Sequence, residues 1–70
     1  MKGFYYCASD DERLLVRLNM DTGELMYISP NYDDWHPISV AVEGMFFRGS
    51  LDGVSEEEAK VIFEKIKEIT

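Results

Sequence analysis

Apolar and polar residues alternate along the first half of this chain and change to a helical rhythm at its end. Lys2 to Ser9 is rich in aromatics and predicts a strand. Arg13 to Asn19 places Leu14, Val16 and Leu18 at period two, the repeat of a second strand. Glu24 to Ser29 predicts a third, ended by Pro30, which has no amide to give to a ladder. Ile38 to Glu43 alternates Ile38, Val40 and Val42 and predicts a fourth. Met45 to Leu51 predicts a short fifth strand, interrupted by Gly49. Between the third and fourth lies the longest loop, Asn31 to Pro37.

Two boundaries are marked by specific chemistry. Asn19 to Glu24 is a turn: Gly23 takes positive φ without steric cost, and the Asn19 side chain can accept from amides two or three residues on. A four-residue loop, Met20 to Gly23, sets Leu18 opposite Leu25, Arg17 opposite Met26, Val16 opposite Tyr27 and Leu15 opposite Ile28. A three-residue loop would set Leu18 opposite Met26 and is the lesser alternative. Further on, Ser55 followed by Glu58 is a capping box, and Val54 is placed to staple onto Ala59. Ala59, Ile62, Phe63, Ile66 and Ile69 then form one apolar stripe at helical spacing.

The expected fold is therefore α+β: one domain over residues 1–70, an antiparallel sheet of four to five strands with a C-terminal helix, about Ser55 to Ile69, on one face. Phe4, Tyr6, Leu14, Val16, Leu18, Leu25, Tyr27, Ile38, Val40 and Val42 are assigned to the helix side. Tyr5, Cys7, Leu15, Met26, Ile28 and Ala41 then fall on the other. A solvated sheet face is mostly polar, and this one is half apolar. A second cover is required, from the Trp35 loop, a twin subunit, a protein partner or a flat ligand.

Composition narrows the classes. Seventy residues at 46% apolar suffice for one small core, exposing roughly 4,500 Å² when folded. No apolar run approaches the ~20 residues of a membrane span, and Asp10-Asp11-Glu12 follows the first strand at once, unlike a signal peptide. A single cysteine excludes an internal disulfide and points to a reducing, cytoplasmic setting. The net charge is −7, with acids spread along the whole chain. Such a surface repels nucleic acid and anionic membranes but not a basic protein.

Candidate chemistry is thin. Asp21-Thr22-Gly23 matches the short signature of aspartic proteases, yet the turn accounts for these residues and no second motif accompanies it. Asp33, Asp34 and His36 gather metal-ligating types, but further ligands would have to come from Asp10, Asp11 or Cys7 at no supporting spacing. Tyr5-Tyr6-Cys7-Ala8-Ser9 resembles the strand before the third hypervariable loop of immunoglobulin variable domains. The second cysteine of that family is missing, and the motif stands at the wrong end.

No catalytic set, cofactor site or metal site is marked. The leading expectation is a small acidic, cytoplasmic, non-catalytic protein-interaction module, homodimeric through the second sheet face. Its contact residues would be Tyr5, Leu15, Met26, Ile28, Tyr32, Trp35 and His36, the last three being loop anchors of the kind that dominate interfaces. One alternative is an acidic inhibitor or nucleic-acid mimic, of phage counter-defence type, docking on a basic effector. The other is a small-ligand, metal-binding or enzymatic subunit using the Asp33 to His36 loop.

Overall fold

A computed structural model describes residues 3–32 and 34–69. The strands are β1 (Phe4–Ala8), β2 (Leu15–Asn19), β3 (Leu25–Ile28), β4 (His36–Pro37) and β5 (Asp52–Val54); the helices are α1 (Val40–Phe47) and α2 (Glu56–Ile69). The strands form one antiparallel sheet in the order β4-β3-β2-β1-β5. The accessible surface is 4,621 Å².

The β2–β3 hairpin has the four-residue loop and the register the sequence favours, Leu18 opposite Leu25 and Leu15 opposite Ile28. The Asn19 side chain accepts from the Asp21 and Thr22 amides at 2.9 and 3.2 Å. The Gly23 amide donates to the Asn19 carbonyl at 2.7 Å, with Gly23 at φ +79°. The three-residue alternative is excluded. The α2 cap is also as expected: the Glu58 amide donates to Ser55 Oγ and the Ser55 amide to Glu58 Oε1, both at 3.1 Å. Ala59, Ile62 and Ile66 are buried against the sheet.

The segment from 38 to 51 is a correction. It holds no strand over 38–43 or 45–51; residues 40–47 are α1. Ser39 caps the start, its Oγ accepting from the Val42 amide at 3.3 Å. Gly49, at φ +74°, closes the end. The Gly49 amide donates to the Phe46 carbonyl and the Ser50 amide to the Met45 carbonyl, the paired bonds of a Schellman motif. The residues that reach the core are Ile38, Val42, Met45 and Phe46, at helical and not strand spacing. Two strand pieces the sequence left as loop and linker complete the sheet edges, β4 and β5.

The face assignment changes with the register. Tyr6 pairs with Arg17 and Arg17 with Met26, so these three share a face with Ala8, Leu15 and Ile28, and α2 covers it. Cys7, Val16 and Tyr27 point the other way and pack with Leu51 beneath α1. The sequence reading put Val16 and Tyr27 under α2 and Leu15 and Ile28 opposite; β2 and β3 are reversed. The β1–β2 turn decides this. Its ends are joined by the Ser9 amide donating to the Leu14 carbonyl at 3.0 Å, and Ser9 Oγ bonds Asp11 and the Leu14 amide. A one-residue difference in such a turn exchanges the two faces.

The caps give a direct test of α1. Ser39→Ala is expected to cost about 1 kcal/mol by losing the N-cap, and Gly49→Ala about 1–2 kcal/mol through a left-handed alanine. Denaturant melts of both variants, alongside Ser55→Ala as the reference cap, check this. An unchanged midpoint for the Ser39 and Gly49 variants would argue for extended chain over 40–47.

Candidate functional site

The loop between β3 and β4 carries the aromatics singled out by the sequence, and it divides them. Because His36 pairs with Tyr27 and Pro37 with Met26, the loop wraps the sheet edge and sends successive side chains to opposite sides. Tyr32 and His36 stack on one another, with ring centres 4.2 Å apart and planes at 11°, on the α1 side. Tyr27 meets both rings edge-on. Trp35 goes to the α2 side, where it stacks on Phe63 at 5.4 Å and 27° and leans on Tyr6 at 6.4 Å. The three residues are therefore not one hot spot.

Of the other expected contact residues, Leu15 and Ile28 have no exposed surface; both lie under α2 and are withdrawn from any interface. Met26 is half-buried, its sulfur accepting from the Arg17 guanidinium at 3.5 Å. Tyr5 is exposed on the α1 side of the sheet. The second sheet face, expected to await a twin subunit or the Trp35 loop, is covered by α1.

Trp35 borders an open cleft at the seam between the sheet and α2. Its lining is Tyr6, Trp35, Ala59, Lys60, Phe63 and Glu64, and its volume is about 280 Å³. The walls are three aromatic rings, and Ala59 supplies a small side chain where a larger one would fill the space. Arg17 fixes one wall. Its guanidinium carbon lies 4.5 Å from the centres of both the Phe4 and Trp35 rings, a cation held between two π faces. Lys67 sits 5.4 Å over Phe63. Burial raises the Tyr6 phenol above its ordinary value; Glu56 adds to the rise and Arg17 opposes it. Sequence reasoning missed Tyr6, Lys60, Phe63 and Glu64 as a site, since the pairings from β4 through β3 and β2 to β1, with the seating of α2, bring them to Trp35.

The other chemistry weighed from the sequence is dispersed. Asp33 lies outside the described residues. The Asp34 carboxylate accepts from the Trp35 amide at 2.7 Å, a loop brace. Among the described residues no group of three His, Cys, Asp or Glu side chains is placed to hold a metal ion. Asp21 and Thr22 lie in the β2–β3 turn. No helix of the described residues is long and apolar enough to cross a membrane. Comparison with known protein families, characterised proteins and solved structures finds no match.

Cys7 is buried between β2 and β5 beneath α1. Burial raises its thiol above the ordinary value, a hydrogen bond with Tyr5 opposes, and Asp52 adds to the rise. The reactive thiolate is thus disfavoured at neutral pH. Labelling of Cys7 by a thiol reagent should proceed only as fast as the fold opens and should accelerate on adding denaturant. Labelling of the native protein at the rate of a free thiol would contradict this placement.

Proposed function

We propose that the protein is a non-catalytic protein-interaction module that self-associates through the outer side of α1. The observation that carries this reading is the composition of that helix. Val40-Ala41-Val42-Glu43-Gly44-Met45-Phe46-Phe47 is apolar on every side but for Glu43. A helix apolar all round belongs in an interior. Here Val42, Met45 and Phe46 face the sheet, while Val40 is 87% and Phe47 72% exposed.

Val40 and Phe47 are seven residues apart and so lie on one line of the helix, with Gly44 between them and the Arg48 side chain lying over Gly44. Burying two such side chains in each copy is worth about 1.5–3 kcal/mol apiece. A two-fold pairing with the helices antiparallel would set Arg48 of each copy near the first turn of the other, where Glu43 stands. The interface moves from the sheet face expected on sequence to the helix that covers it. Tyr5 and His36, on that same side, are the expected contact residues left exposed there.

The acidic-mimic alternative rests on the net charge alone, and the exposed acids are divided between the two ends of the sheet, the β1–β2 turn at one and the β2–β3 turn with the start of α2 at the other. Asp10 and Asp11 lie in the β1–β2 turn, Asp21 and Glu24 at the β2–β3 hairpin, and Glu56, Glu57 and Glu58 at the start of α2.

Light scattering on a sizing column, over a wide concentration range, tests the reading. The wild-type chain is expected at twice 8.1 kDa and Phe47→Glu at 8.1 kDa, with far-UV spectrum and melting midpoint retained. A wild-type chain that stays at 8.1 kDa at every concentration would overturn self-association.

A further inference from the structure

The cleft on the opposite side of the sheet from α1 has a composition that self-association does not use. Three rings, Tyr6, Trp35 and Phe63, line an open space of about 280 Å³ above Ala59. That lies near the lower end of the ~300–1,000 Å³ typical of small-molecule sites. Arg17, held between Phe4 and Trp35, keeps the tryptophan wall in place without a ligand.

Lys60 and Glu64 stand on its rim, with Lys67 over the Phe63 ring and Arg17 against Trp35. Lys60 and Glu64 are four residues apart on α2, hence neighbours on one helix face, about 5–6 Å between Cβ atoms. The one ion pair among the described residues, Lys65 to Glu12 at 2.8 Å, involves neither.

These features select among ligands. A cation would gain from the rings and Glu64 but would meet Lys60. An anion would meet Glu64 and the field of a chain carrying −7. A neutral ring would leave both rim charges unused. A ring on a short stem bearing both an ammonium and a carboxylate uses every lining residue, and having no net charge it is not repelled by the protein as a whole. We propose that the cleft binds a free aromatic α-amino acid, its ring among the edges of Tyr6, Trp35 and Phe63, its carboxylate at Lys60 and its ammonium at Glu64. Exposed charge pairs contribute little each, so the binding is weak, with a dissociation constant of about 1 mM.

Trp35 is the only tryptophan, so its emission reports the cleft alone. The probe is L-phenylalanine, with excitation at the red edge, where phenylalanine does not absorb. The expected result is a saturable change in Trp35 emission, weakened about two- to fivefold by Lys60→Gln and by Glu64→Gln, both exposed positions. Phenylalaninamide, lacking the carboxylate, should be insensitive to Lys60→Gln. N-acetylphenylalanine, lacking the ammonium, should be insensitive to Glu64→Gln. Leucine should bind more weakly than phenylalanine. No saturable change, equal binding of leucine, or binding untouched by either substitution would overturn the proposal. Phe47→Glu, on the other side of the sheet, should bind phenylalanine as the wild type does, which keeps this test separate from that of self-association.

Discussion

Leu15 and Val16 are adjacent in one strand, and both are wholly withdrawn from solvent. Successive strand side chains point to opposite faces, so neither face of this sheet can be left wet. Cys7 and Ala8 repeat the condition in β1, and Tyr27 and Ile28 in β3. Each face therefore needs a cover, and a chain of this length has little to spare for it. The solution is one helix per face. The fourteen residues of α2 cover the Ala8–Leu15–Ile28 layer, and the eight of α1 cover the Cys7–Val16–Tyr27 layer with help from Ile38, Leu51 and Tyr32.

The two covers are unequal, and the inequality shapes the surface. α2 is amphipathic: its buried side is Ala59, Ile62 and Ile66, and charged residues occupy much of the rest. It meets water without difficulty. α1 is too short to supply enough apolar contact from one stripe, and almost every position in it is apolar. No residue of α1 is fully buried, though three pack on the sheet. The second face is thus sealed by moving the exposed apolar surface outward from the strands to the helix, which does not remove it. The surplus visible in the sequence was real, and its location was one layer further out.

What was legible in the sequence follows from how local each signal is. Asn19 and Gly23 act within six residues, and they set the β2–β3 register correctly. Ser55 and Glu58 bond only each other, and the α2 stripe repeats often enough to show its period. α1 was opaque because period is a contrast between apolar and polar positions, and the helix has almost no contrast. Val40 and Val42 imitated a strand, although Ser39 and Gly49 marked both ends of a helix. β4 and β5 are two and three residues long and owe their form to distant partners, Tyr27 and Met26 for one, Tyr6 to Ala8 for the other. The face assignment failed for the same reason: it depends on the β1–β2 turn, whose length in the ladder is set with side-chain bonds from Ser9 and Asp11. Of the site, Trp35 was legible as an aromatic of the long loop, but its neighbours Tyr6, Phe63, Lys60 and Glu64 come from the two ends of the chain.

The edges of the sheet are short. A strand edge recruits another chain by its free amides and carbonyls, and long flat edges do so best. β4 offers two residues, one of them Pro37 with no amide, and β5 offers three. Strand addition is thus poorly served on either side, and the helices hold the surfaces with shape and apolar content. They lie on opposite faces, and the loop that turns the sheet edge places Trp35 with one and the stacked Tyr32–His36 pair with the other. Covering α1 therefore leaves the α2 seam open. The same requirement that puts a helix on each face gives so small a chain two separate surfaces, one largely apolar and one a ring-lined cleft with Lys60 and Glu64 at its mouth.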